Sequence, residues 1–246
     1  MQAYKGVKML NDNHFLFSTP IAHRGLWGEG VIENSLTAYK NAVENNYAIE
    51  IDVYSSKDGT LFSFHDANLM RMCGVDKNIF DLTEQEILQL NLSSSDQKIP
   101  TLLEVLRVVG DKVPLLIEIK NQPRKDIVEL LLNQIKNYGN KVAIQSFNPL
   151  YILKVKKLAP NICRGILSTN DENHLKGTGA FTKLVVKNKL LNFLIKPHFI
   201  SQNYSALPLK KKYSKIPVIA WTVTDKTIYE KVKPFSKNII FEHFIP

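Results

Sequence analysis

The chain has 246 residues, 44% of them apolar, and a net charge of +9 from 32 basic and 23 acidic side chains. This length suits a single (β/α)8 TIM-type barrel, and no Gly/Ser/Pro-rich linker or solenoid-period repeat divides it. No apolar run reaches signal-peptide or membrane-span length and Cys73 and Cys163 stand alone, so the expectation is a reduced, cytoplasmic protein without an integral membrane segment.

The first informative element is IAHRG, a short apolar run that delivers His23 and Arg24 just before Gly25. Asn34 reads as the N-cap of a helix carrying Leu36, Tyr39 and Val43 at helical spacing. The next strand, IEIDV, puts Glu50 and Asp52 on one face and Ile49, Ile51 and Val53 on the other. Two carboxylates on one face repel each other unless a cation lies between them, and hard ions such as Ca²⁺ and Mg²⁺ take such oxygen ligands. Arg24 supplies an anion clamp, and His23 and His65 supply groups that move protons near neutral pH. Asp58-Gly59 signals a two-residue hairpin turn, which would set Asp52 opposite His65.

From about 66 to 100 the strand–helix rhythm breaks, and DLTEQEILQL reads as a short helix with Thr83 as N-cap. Further strands are expected at 115–120, 142–147, 163–167, 199–201, 218–223 and 239–241. With the first two these make eight, and 61–65 is then an additional hairpin strand. Alternatively 61–65 is itself a barrel strand and 199–201 is not. Helices are expected over 102–109, 124–138 and 150–158. In such a barrel the C-terminal strand ends carry the chemistry. His23, Glu50, Asp52, Glu118, Lys120, Gln145, Phe147 and Trp221 all fall at or near them.

The positive balance favours anionic partners. No zinc-finger, RNP-type or helix-turn-helix pattern is present, so nucleic acid is not expected. The lysines at 183, 187, 189 and 210–212 read as solvated faces.

In order along the chain, HRG, EN, IEIDV, KDG and HD, then IPTLLEVL, LLIEIK, IQSFNP and IAWTVTD, resemble the glycerophosphodiester phosphodiesterase family. The resemblance runs from about residue 20 to 225. It departs at Ile32, where the family has Pro, and at the end, where NIIFEHFIP replaces a Thr-Asp-containing strand and leaves Glu242 and His243 without a role. It implies metal-dependent hydrolysis of glycerophosphodiesters to glycerol 3-phosphate and an alcohol. One divalent cation, Ca²⁺ or Mg²⁺, would be held by Glu50, Asp52 and Glu118. His23 and His65 would act as acid and base with Arg24, and Lys120, Gln145 and Trp221 would contact substrate. The stretch near 66–100 would be an insertion at the barrel mouth that shapes the substrate without joining the chemistry.

Two other readings share the scaffold. A phospholipase acting on intact lipid calls for an exposed apolar rim, hinted at by Ile79, Phe80 and Leu82, and would bring peripheral membrane contact. A non-catalytic barrel that binds glycerophosphodiesters calls for a lost His or carboxylate, and all are present. Headgroup and oligomeric state are open.

Overall fold

The structure, a computed structural model, describes residues 10, 13–138, 141–170, 191–213 and 215–246. Strands and helices alternate in a (β/α)8 TIM-type fold, as the rhythm of the sequence implies, with one further antiparallel strand. The chain forms two compact units, one of Ala22–Val142 and one of Met1–Ile21 with Ala143–Pro246.

In the unit Ala22–Val142 the chain enters through β1 (Ile21–Ala22) and builds α1 (Leu36–Glu44), β2 (Ala48–Ser55) and β3 (Leu61–Ser63). Helix α1 is capped by Ser35, whose Oγ accepts from the Ala38 N–H at 3.1 Å. The expected cap, Asn34, instead takes a left-handed φ of 52° and turns its amide to other partners. Asn tolerates that backbone region better than most residues, which frees the neighbouring serine to cap.

Strand β2 is buried along its whole length, the mark of a strand covered on both faces. Ile49, Ile51 and Val53 are fully buried, and Glu50 and Asp52 on the opposite face are only 2% and 1% exposed. The carboxylate face is therefore interior, unlike the half-solvated strand that alternation usually signals.

The hairpin register differs from the expected one by a residue. Val53 pairs with Ser63, Tyr54 with Phe62 and Ser55 with Leu61. The Ser56 N–H donates to Thr60 O at 2.8 Å, so the loop has three residues, Lys57, Asp58 and Gly59. Gly59 sits at φ 103°, which a side chain rarely adopts. Asp58 accepts from Ser56 Oγ at 2.6 Å and helps shape the loop rather than starting a two-residue turn. Asp52 thus faces Phe64, whose N–H donates to Asp52 O at 3.1 Å, and not His65.

The stretch after the hairpin carries α2 (Met70–Cys73) and α3 (Glu84–Leu88), the latter with a reciprocal capping box between Thr83 and Glu86. Leu69, Met72, Ile79, Leu82, Ile87, Leu92 and Ile99 form a small core with Tyr54, Phe62 and Phe64 of the hairpin. Ile79 and Leu82 are buried within it and Phe80 is half-buried, so these residues form no exposed apolar rim. The rim expected of a phospholipase is absent there. Each fully buried aliphatic side chain contributes about 1.5–3 kcal/mol to holding this segment against the hairpin.

Helix α4 (Leu102–Val109) buries Leu102, Val105, Leu106 and Val109 on one stripe, starts with a Thr101–Glu104 capping box and stops at the left-handed Gly110. It leads to β4 (Leu115–Ile119), which lies parallel to β2 with Asp52 beside Glu118. Helix α5 (Ile127–Ile135) is shorter at both ends than the sequence implied.

The second unit carries β5 (Val142–Ser146), α6 (Pro149–Leu158), β6 (Cys163–Ser168), α7 (Asn192–Ile195), β7 (Phe199–Asn203), β8 (Val218–Val223), α8 (Lys226–Val232) and β9 (Asn238–Phe241). Strands β5 through β9 pair in sequence order, all parallel. With β7 in the sheet and β3 antiparallel, the reading that dropped 199–201 is excluded. Lys210, Lys211 and Lys212 are exposed as expected, while positions 183, 187 and 189 lie outside the described residues. Both cysteines are free thiols.

Candidate active site

Three strand-borne carboxylates define the centre. Glu50 and Asp52 come from β2 and Glu118 from β4, each offering an oxygen within 4.8 Å of the others, and all three are buried. The parallel register places Asp52 directly beside Glu118. Lys120, just past the end of β4, sets its Nζ 3.2 Å from Asp52 Oδ1 and 3.1 Å from Glu118 Oε1.

Arg24 approaches from the loop after β1. Its backbone is left-handed at φ 58°, with its N–H donating to Glu50 Oε2 at 3.2 Å. Its guanidinium pairs with Glu33 Oε1 at 2.8 Å and lies 3.7 Å from Asp52 Oδ2. Gly25 follows at φ 84°, and a Cβ there would stand 2.8 Å from Ala38 of α1. The glycine in HRG is thus required for the chain to pass α1 so closely.

Burial and neighbouring charge sort the acids. Burial raises the Glu50 carboxyl well above its usual range, and the adjacent Asp52 and Glu118 charges add to this. Burial raises Glu118 too, with Lys120 opposing and Asp52 reinforcing it. Asp52 is also pushed up by burial, but Lys120, His65, Arg24 and His23 outweigh that and hold it below the carboxylate range. Lys120 is held firmly protonated because Asp52 and Glu118 overcome its burial. Both predicted histidines therefore lie close enough to Asp52 to act on it. His65 stays within this reach despite the register shift because β3 ends at Ser63 and the chain leaves the ladder before it.

His65 Nδ1 lies 2.6 Å from Asp66 Oδ1. A carboxylate accepts, so Nδ1 carries the hydrogen and Nε2 presents its lone pair. Burial, reinforced by the Lys120 charge, lowers the imidazole to about 4, so it is neutral at neutral pH.

Five residues in this neighbourhood had no assigned site role in the sequence. Asn34 donates from Nδ2 to Asp52 Oδ2 at 3.3 Å, and its Oδ1 accepts from the buried Tyr39 hydroxyl at 2.8 Å. Tyr39 also meets Ser63 Oγ at 2.5 Å. Glu33 accepts from Arg24 and, at 2.6 Å, from Arg71 Nη2. The sequence marked Tyr39 by its helical spacing and Glu33 and Asn34 only as a pair, which lies in a turn and carries no periodicity.

Gln145 and Trp221 belong to the other unit. Gln145 is buried, accepting from Ser201 Oγ at 2.6 Å, and Trp221 is 7% exposed with its ring edge-on to Phe147 at 5.7 Å. In the same unit Glu242 has its N–H on Val223 O at 3.1 Å, and His243 Nε2 lies 3.7 Å from its carboxylate.

The donor set fits a hard divalent cation. Three buried carboxylates face one another with Lys120 and Arg24 close by as compensating charges, and Asp52 Oδ1, though 3.2 Å from Lys120 Nζ, accepts no well-aligned hydrogen bond among the described residues.

Comparison with known proteins agrees with this geometry. The sequence profile of the glycerophosphoryl diester phosphodiesterase family matches residues 23–243. A glycerophosphodiester phosphodiesterase of Caldanaerobacter subterraneus subsp. tengcongensis is 38% identical over 159 residues, which is 60% of this chain and 65% of that relative. The match therefore spans just under two thirds of that relative's length. An Oleispira antarctica phosphodiesterase solved with sn-glycerol-3-phosphate superposes with a TM-score of 0.75 at 24% identity, covering 91% of this chain and 92% of its own. A glycerophosphodiester phosphodiesterase from Thermotoga maritima gives 0.69 at 25% identity, covering 91% and 94%. No helix among the described residues is long and apolar enough to cross a membrane.

Proposed function

We propose, from the premise that the chain belongs to the glycerophosphoryl diester phosphodiesterase family, that it hydrolyses glycerophosphodiesters to glycerol 3-phosphate and an alcohol. The observation that carries this reading is the buried Glu50–Asp52–Glu118 cluster bracketed by Arg24 and Lys120. Buried acids and bases with separated proton affinities, gathered at strand ends, are the arrangement that acid–base hydrolysis needs.

Glu50, Asp52 and Glu118 would hold one divalent cation, Ca²⁺ or Mg²⁺. When bound, the ion supplies positive charge beside the phosphoryl oxygens. Arg24, turned toward the cluster, binds a non-bridging oxygen and stabilises negative charge as it develops there. Lys120 is protonated and offers a second donor to the phosphate or to the leaving oxygen.

His23 and His65 divide the proton transfers. One imidazole takes the proton of the attacking hydroxyl, whether water or the substrate's own neighbouring hydroxyl, and the other delivers a proton to the departing alkoxide. For His65 the Asp66 hydrogen bond fixes the ring so that Nε2 is the nitrogen that exchanges the proton. With a cyclic phosphate formed first, water then opens it and the two histidines exchange parts.

The direct test is release of glycerol 3-phosphate from a panel of glycerophosphodiesters, with and without chelator. Release that the chelator abolishes and added Mg²⁺ or Ca²⁺ restores supports the reading. No release from any member under either ion overturns it.

A further inference from the structure

The short helix α2 lies in the segment expected to shape substrate only, yet it projects a side chain into the charge network of the site. Arg71 Nε donates to Asp66 Oδ2 at 2.5 Å, and Arg71 Nη2 donates to Glu33 Oε1 at 2.6 Å. Asp66 presents its other oxygen to His65 Nδ1 at 2.6 Å, and the same Glu33 oxygen accepts from Arg24 Nη1 at 2.8 Å. A continuous chain of charged hydrogen bonds therefore runs His65–Asp66–Arg71–Glu33–Arg24.

We propose that Arg71 is a positioning residue for the reaction, fixing the His65 ring through Asp66 and anchoring that link on Glu33. Its side-chain partners are Asp66 and Glu33, not the three carboxylates.

The geometry supports this on three counts. First, the guanidinium uses two different nitrogens for two carboxylates, so its plane is set at both ends. Second, Arg71 is the cation that pairs with Asp66, and it shares Glu33 with Arg24, so without it Asp66 keeps only the imidazole and Glu33 only Arg24. Third, Asp66 has one oxygen on the imidazole and the other on Arg71. Removing Arg71 leaves that carboxylate free to turn about its bond to the backbone and to carry the ring with it.

A guanidinium is the group that fits. A lysine at 71 presents one compact charge and reaches one of the two carboxylates at a time. The fork therefore makes the insertion part of the catalytic frame, even though it brings no group to the substrate.

This inference rests on the reading that His65 transfers a proton, and the test separates the two. Steady-state hydrolysis of glycerophosphocholine is measured for the wild type, Arg71→Met, His65→Ala and the double variant, with divalent-ion affinity measured by calorimetry on each. The expected result is a loss of kcat in Arg71→Met on the order of tenfold or more, with KM and ion affinity nearly unchanged. In the His65→Ala background the same change should cost no more than about threefold, since a residue acting through His65 has nothing left to act on.

Equal fold-losses in both backgrounds would overturn the proposal, because Arg71 would then act independently of His65. A His65→Ala protein of full activity would instead sink the proton-transfer reading beneath it. Should Arg71→Met fail to fold, Arg71→Lys and Asp66→Asn enter the same cycle, judged by the same non-additivity. Full activity in both of those variants also overturns the proposal.

Discussion

Asp52 on β2 and Glu118 on β4 are lateral neighbours in a parallel ladder, and the ammonium of Lys120 is about equally close to both, at 3.2 and 3.1 Å. Backbone hydrogen bonding thus fixes the separation of two of the three acids, and the Lys120 ammonium bridges them. The site is preassembled by the sheet.

Asp52→Asn should lower divalent-ion affinity by about 100-fold while the fold survives, because the amide keeps the shape and loses the charge. Calorimetric titration with Ca²⁺ and Mg²⁺ reads this directly. Unchanged binding would mean that the three-carboxylate site is wrong.

Replacing Lys120 with Met should make stability depend on the ion. Without Lys120 the buried acids lose their nearest positive charge, a change worth about 3–5 kcal/mol at most for a broken buried pair. Melting in chelator should show a large drop, and added Mg²⁺ or Ca²⁺ should recover more stability in the variant than in the wild type. Equal ion-induced shifts in both proteins would refute this.

His65→Ala and His23→Ala should each reduce turnover by about 100-fold or more, with metal binding nearly intact. Because His65 lies beyond the paired residues of β3, its replacement leaves strand pairing untouched. It tests only whether the imidazole beyond β3 serves the chemistry.

Stability should fall between about pH 6.5 and pH 4, with His198 as one contributor beside His65. The His198 Nδ1 accepts from the Arg164 N–H at 3.2 Å, and burial, with Arg164 nearby, lowers this imidazole from 6.5 to about 4. The unfolded chain takes up this proton first, so the stabilisation is full above the unfolded value and is lost as pH drops toward the folded one. His198→Gln should flatten this part of the melting-temperature profile, and an unaltered slope would rule the residue out.

Phe80, half-buried against Tyr54 at 6.2 Å between ring centres, lines a cavity of about 350 Å³ with Lys57, Arg124 and Lys125. Phe80→Ala should change preference among glycerophosphodiesters mainly through KM, leaving turnover of the smallest substrate little affected. Equal loss of turnover on every substrate would place this ring within the catalytic frame.

What the sequence conveyed best was strand position and the residues at strand ends. β2, β4 and β8 are long apolar runs whose period of two fixes which acids share a face, so Glu50, Asp52, Glu118 and Lys120 were readable together. Helix α4 was readable to the residue because its capping box, apolar stripe and terminal glycine agree. The hairpin register was not, since Asp58-Gly59 serves both two- and three-residue loops and only the Ser56–Thr60 bond decides between them. Asn34 looked like a cap because the next residue caps equally well. Arg71 carried no signal, since its partners lie 5 and 38 positions away and neither spacing marks a contact within a regular element.

The three-residue loop at Lys57–Gly59 works as a length gauge for everything downstream. Adding or deleting one residue between Ser55 and Leu61 would exchange the two faces of β3. Phe62 would leave the apolar cluster that holds the insertion, and Ser63 would lose its contact with the Tyr39 hydroxyl. Such a variant would keep every functional side chain in its sequence and still lose the Ser63–Tyr39–Asn34 link to Asp52, whereas a change of two residues would preserve the alternation. Along this stretch the count of residues itself sets which side chains reach Asp52, a constraint that comparing side chains position by position would overlook.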